Sequence, residues 1–300
     1  MQRVRLSTIV IASLLLCWQS VSARTLTIGS ISKSPSEEIA AFFPLAEYLA
    51  RQLAGSGIDK GKVVVVNSIP EMVEQLKTGQ IDIYMDSPFP SLAVSRLTDS
   101  KIILRRWKGG KAEYRSLIIV RTDSPIRTLA DLRGKIIAFE DDYSTSGYFL
   151  PKSALLRAGL KVRPCEETVG AAPADEVSCI FSRVQSNAKT WVIRGKVHAA
   201  AMGAHNLEGL LPKEQEQIRI MHETVTVPRQ VVSVRQGLDE ALTQRIRETL
   251  IAMEHSEEGR AVLVKFENTT RFDELPGGPE QALAPVRDLL KDSDIEISRR

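Results

Sequence analysis

Cysteine, histidine and aromatic side chains are all scarce in this 300-residue chain: three Cys, four His, and only 5% Phe, Trp and Tyr. Three cysteines are too few for a disulfide-built scaffold. The four histidines, His198, His205, His222 and His255, include none in a motif that pairs it with a serine, and no Gly-x-Ser-x-Gly elbow is present. A hydrolase acting through Ser144 or Ser146 is therefore disfavoured, and the expectation is a protein that is not an enzyme. His205 and Glu208 have a helical ligand spacing but no evident third ligand, so no metal or cofactor is expected. Net charge is scarce as well. Without Arg3 and Arg5, 38 basic side chains face 37 acidic ones, which gives no electrostatic ground for a nucleic-acid partner. No apolar run reaches the about 20 residues of a membrane span. No repeat, low-complexity segment or Gly/Ser-rich linker occurs either.

What is present begins with a leader. Arg3 and Arg5 precede the apolar run Leu6 to Trp18, and small residues lead to Ala23. That is the layout of a secretory signal peptide over residues 1–23, with cleavage expected after Ala23. Cys17 follows Leu16 rather than a small residue, which argues against a lipoprotein. The mature chain would then be exported, with Cys165 and Cys179 its only cysteines. In an oxidising compartment one disulfide is the expectation, closing a loop of about 15 residues and contributing roughly 3 kcal/mol. Two inert thiols, or two thiols on a soft metal, are the alternatives.

From Thr25 short β-rich runs alternate with longer amphipathic stretches, the pattern of an α/β fold. A strand is expected over Thr25 to Ile31. The helix after it, Ser36 to Ala54, carries Ile39, Phe42, Phe43, Ala46, Leu49 and Leu53 at apolar spacing and should kink at Pro44. Lys62 to Val66 reads as a valine strand buried on both faces. The same logic repeats from Arg115 to Met221, and the tail from Leu238 reads as helical. Lys101, Arg105, Arg106, Lys108 and Lys111 surround Trp107 and read as a solvated edge strand. Extended segments near Glu113 to Leu117 and Glu223 to Gln230 are the candidate crossings between two α/β units.

The most chemical segment is Phe139 to Tyr148, between a strand and a helix start. The first turn of a helix has amides without intrahelical partners at an electropositive end. Ser144, Thr145 and Ser146 add hydroxyls there, and Gly147 would let a ligand approach the backbone. An anion could be held in this way without lysine or arginine; an ordinary Ser/Thr helix cap is the plainer reading.

Ser144-Thr145-Ser146-Gly147-Tyr148, with Pro151 after it, resembles the anion-binding motif of the phosphonate-binding (PhnD-like) family, the periplasmic binding proteins of phosphate, phosphite and phosphonate ABC importers. Pro44-Leu45, Gly79 to Ile83, Asp123 to Ile126, Gly195-Lys196-Val197 and Ile218-Arg219-Ile220 agree in order and spacing. The resemblance covers about residues 25–260. It implies a type II periplasmic-binding-protein fold, two α/β lobes joined by a two-strand hinge, with residues 24–113 and 226–300 in one lobe and 114–225 in the other. It also implies a small oxyanion or organophosphorus ligand, an ABC permease as partner, a periplasmic location and a monomer. A sensor subunit feeding a histidine kinase would share the same pocket. Tyr114 falls at the family's hinge-tyrosine position.

The sequence departs from the family where Asp86 replaces an aromatic residue, and where Ile69 or Pro70 stands in for another. An acid in the cleft would demand a protonated oxyanion or an ammonium-bearing ligand. Ser87 beside it, Ser30, Ser32 and Ser34 after the first strand, and His205, Asn206 and Glu208 complete the candidates.

Overall fold

The computed structural model describes residues 24–164 and 173–292. The leader expected over residues 1–23 and Cys165 lie outside the described residues. Cys179 is buried and disulfide-bonded.

The first half of the chain alternates strand and helix: β1 (Arg24–Ile31), α1 (Pro35–Gln52), β2 (Ile58–Val66), α2 (Ile69–Lys77), β3 (Ile83–Asp86), α3 (Pro88–Thr98) and β4 (Lys101–Lys108). A two-residue strand, β5 (Glu113–Tyr114), then leads into β6 (Ser116–Arg121), β7 (Ile136–Phe139), α4 (Leu150–Arg157), β8 (Lys161–Val162), β9 (Glu176–Phe181), α5 (Gln185–Ile193), β10 (Ala199–Gly203), α6 (Pro212–Gln217) and β11 (Ile218–Glu223). The chain returns through β12 (Val227–Pro228) to β13 (Gln230–Val234), α7 (Glu240–Ala252), α8 (Glu257–Lys265), β14 (Thr269–Asp273), α9 (Gly278–Ala282) and α10 (Ala284–Asp292).

These strands form two six-stranded sheets, ordered β14-β4-β13-β3-β1-β2 and β11-β6-β10-β7-β9-β8, each the centre of one lobe. β5 and β12 pair antiparallel, Tyr114 opposite Val227, and make the two-strand hinge. β1 pairs in parallel with β2 and β3, as strand–helix–strand units require, whereas β13 returns antiparallel beside β3 and β4.

Several local expectations are corrected by this topology. β2 is an edge strand, so Val63, Val64 and Val65 are only partly buried. α1 continues through Pro44, and its buried stripe is Phe42, Leu45, Ala46 and Leu49, leaving Ile39 and Phe43 outside. The tail is interrupted by β14, which pairs with β4. That pairing places β4 inside the sheet: Arg106 is fully buried and Arg105 nearly so. The basic stretch is therefore no solvated edge. Its charges are matched by acids distant in sequence, Arg105 by Asp273 at 2.7 Å, and Arg106 and Lys108 by Glu267 at 2.9 and 2.7 Å.

The two lobes share apolar packing. Phe149, at the start of the second-lobe helix, stacks on Phe89 of α3 with ring centroids 4.3 Å apart and joins the first lobe's apolar cluster.

Candidate functional site

A cavity of about 490 Å³ lies between the lobes at the hinge. The first lobe lines it with Ser30, Ser32, Glu38, Asp86, Ser87 and Lys108; the hinge with Tyr114 and Arg229; the second lobe with Ser144, Thr145, Ser146 and His205. Of the candidates, Ser30, Ser32, Asp86, Ser87, Tyr114, Ser144, Thr145, Ser146, His205 and Asn206 thus line one cleft, and Gly147 does not. Ser34 and Glu208 do not line it; Glu208 pairs with Lys111 across the lobe boundary.

The Ser-Thr-Ser-Gly segment opens a π turn, Thr145–Phe149, that feeds α4. The chemistry of Pro151 accounts for this. With no N–H to offer, it leaves the Gly147 carbonyl free, and that carbonyl accepts from the Glu140 amide at 2.9 Å. The Ser146 carbonyl accepts from Ser116 Oγ at 2.6 Å, and the Leu150 amide turns instead to Thr145 O. Such turns are frequent at functional positions.

Each hydroxyl has its own environment. Ser144 caps the turn, accepting from the Gly147 amide at 2.9 Å while donating to Glu140 Oε2 at 2.6 Å. Its proton therefore goes to a carboxylate rather than to a histidine. Thr145 crosses between lobes: its Oγ1 accepts from the Phe89 amide at 2.9 Å and donates to Ser87 Oγ at 2.9 Å. Ser87 passes the chain on, donating to Asp86 Oδ1 at 3.1 Å. A hydrogen-bond relay thus ties the turn to Asp86.

Gly147 serves differently from the expectation. A Cβ there would stand 2.4 Å from Glu140 Cβ and 2.9 Å from Ser144 Oγ. The missing side chain makes room for Glu140 and the cap rather than for a ligand. Gly147→Ala is expected to destabilise by about 1–3 kcal/mol through overpacking. A thermal melt unchanged from wild type would refute that packing role.

Two kinds of charge divide the cleft. Asp86 accepts from Tyr84 Oη at 3.0 Å and from the Ser87 amide at 2.6 Å, and burial pushes its carboxyl up to about 7. Glu38, bonded to Ser30 Oγ, is also raised by burial. Burial alone would raise Glu267 too, but Arg106 and Lys108 overcome it and hold that carboxyl down at about 2. His205 is pushed down to about 4 by burial and by Arg229 and Lys108, which leaves its ring neutral near pH 7. Burial raises the Tyr114 phenol to about 12, so it stays a donor. Arg229, Glu38 and Glu267 were not apparent as site residues from sequence. Arg229 lies in the hinge segment, but nothing local marks it, and the acids reach the cleft only through the fold.

The family model for the periplasmic phosphonate substrate-binding protein of ABC transporters matches residues 28–276. The chain belongs to this family. Over 154 residues, 49% of this chain and 46% of the relative, this phosphonate-family protein is 27% identical to the phosphate-import protein PhnD of Mycolicibacterium smegmatis. It spans less than half the length of the curated relatives it matches. XAC2383 from Xanthomonas citri, solved with chloride ion and with ATP, is similar at TM-score 0.82 and 26% identity, covering 90% of this chain and 99% of that one. PhnD1 from Prochlorococcus marinus in complex with methylphosphonate shares the fold at TM-score 0.67 and 17% identity, over 90% of this chain and 98% of that one.

Proposed function

We propose that this protein captures a phosphorus oxyanion, free or carried on a small organic group, between its lobes and delivers it to an ABC permease. The lobes are residues 24–113 with 226–300, and residues 114–225; the protein performs no covalent chemistry. The observation that carries this reading is the Ser144–Ser146 turn, a helix start whose residues line the cleft between the lobes. Chloride and ATP in XAC2383 support an anion and a phosphate-bearing ligand. The cavity of about 490 Å³ leaves space for a substituent beyond a bare tetrahedral oxyanion.

Asp86 refines the choice of ligand. A carboxyl beside an oxyanion is tolerated when one proton lies between them, on the ligand or on the acid, or when the ligand brings an ammonium group. Closed-state contacts through Thr145, Ser87 and Phe89 make ligand capture and lobe closure one equilibrium, since a ligand shifts it by its preference for the closed form.

A thermal-shift screen of residues 24–300 with phosphate, phosphite, methylphosphonate, aminoethylphosphonate, arsenate and sulfate tests the reading. A ligand at about 100 times its Kd stabilises by roughly 2.7 kcal/mol, a shift of several degrees. The Ser144→Ala/Ser146→Ala variant should abolish that shift. A shift that survives both substitutions would place the anion elsewhere.

A further inference from the structure

Arg229 is a cleft cation that the Ser-Thr-Ser-Gly turn does not account for. It stands between the hinge strand β12 and β13, and its amide donates to the carbonyl of Ala112, just before β5, at 2.7 Å, so the two hinge segments hold its backbone in place. Its guanidinium carbon lies 4.9 Å from the centroid of the Tyr114 ring, and Nη1 is 3.0 Å from His205 Nδ1. A neutral His205 accepts through that nitrogen, which orients the guanidinium without neutralising it. Nε is buried without a hydrogen-bond partner, and the residue as a whole is 8% exposed.

Charge matching singles this residue out. The neighbouring cations Arg106 and Lys108 share Glu267, whereas Arg229 forms no ion pair among the described residues. A desolvated guanidinium without a carboxylate is costly in an empty protein. Its position relative to the turn is also close. A Cβ on Gly203 would meet His205 Cε1 at 2.4 Å and Ser146 Oγ at 3.1 Å, so His205 and Ser146 both stand over Gly203, and Arg229 touches His205.

We propose that Arg229 is the counter-charge of the bound anion, so that the cleft selects oxyanions by charge and rejects neutral esters of the same shape. This rests on the oxyanion reading above. The ligand oxygen then replaces the missing carboxylate, and the guanidinium fork adds geometry that an ammonium group would not.

Isothermal titration of the mature chain with inorganic phosphate, methylphosphonate and ATP, with neutral trimethyl phosphate as the control, tests this. Arg229→Gln should weaken the anion that wild type binds by about 100-fold or more, and Arg229→Lys by less. The melting temperature of ligand-free Arg229→Gln should hold or rise, because an unpaired buried charge has been removed; a merely structural residue would lower it. Wild-type binding of trimethyl phosphate as tight as that of the anions, undiminished affinity in Arg229→Gln, or a ligand-free melt that falls by many degrees would each overturn the assignment of Arg229 alone. Failure of all three anions to bind wild type would overturn the oxyanion reading, and this inference with it.

Discussion

Glu267→Gln is expected to lower the unfolding free energy by about 3 kcal/mol while tightening anion binding. Arg106 is fully buried, and among the described residues its one ion-pair partner is Glu267 at 2.9 Å; Lys108 depends on the same group at 2.7 Å. Removing one partner of a buried pair leaves a desolvated charge behind, which is where the large cost arises. Arg106 keeps neutral partners in Thr269 Oγ1, Gln230 Oε1 and the Phe266 carbonyl, so the loss falls toward the lower end of that range. Because Glu267 and Lys108 also line the cavity, the substitution makes the cleft more positive. Denaturant unfolding and titration with phosphate on the same variant check both halves; a stability loss under about 1 kcal/mol would show that the neutral partners suffice. The pH dependence has a fixed sign. The folded carboxyl titrates at about 2 against an ordinary 4.5, so its contribution is complete above pH 4.5 and is lost as pH falls through about 2.

Asp86→Asn should act in the opposite pH direction. The folded carboxyl keeps its proton up to about 7, whereas the unfolded one releases it near 3.8. Between those values the folded state binds the extra proton, so this group's effect is a stability that falls as pH rises from about 4 to about 7. Tyr84, Ser87 and Glu38 face the carboxyl, and its charge in turn acts on Tyr114 and Tyr143. Glu38 titrates in the same sense, so the variant should flatten the slope without removing it. Ligand choice follows from the same proton. At pH 6 a protonated Asp86 can donate to sulfate; above pH 7 the carboxylate repels it, with affinity falling about tenfold per pH unit. Asp86→Asn should bind sulfate equally at pH 6 and pH 8. Wild-type sulfate affinity that does not change with pH would remove Asp86 from ligand selection.

The alternation of strands and helices, the two hinge segments and the strand–loop–helix bearing Ser144, Thr145 and Ser146 were all legible before any coordinates. Each is a local signal: periodicity, β-branched runs, and a hydroxyl-rich helix start followed by Pro151. What went astray was decided at long range. Lys101 to Lys111 reads as a charged edge because the segment contains five bases. It becomes an interior strand because β14, some 160 positions later, pairs with it and supplies Asp273, while the turn before β14 supplies Glu267. The valine run of β2 reads as buried, yet no strand follows it on the outer side.

The sequence alone therefore determined the α/β class, the family and the hydroxyl-bearing turn before α4, since those rest on neighbours within a few positions along the chain. The tertiary structure decided which charges meet. It paired Glu267 with Arg106 and Lys108, placed Asp86 and Glu38 in the cleft with no ion pair among the described residues, and brought Arg229 to His205 and Tyr114, likewise with no ion pair among them. Electrostatic energy depends on distance and burial through space, and neither can be read from sequence separation.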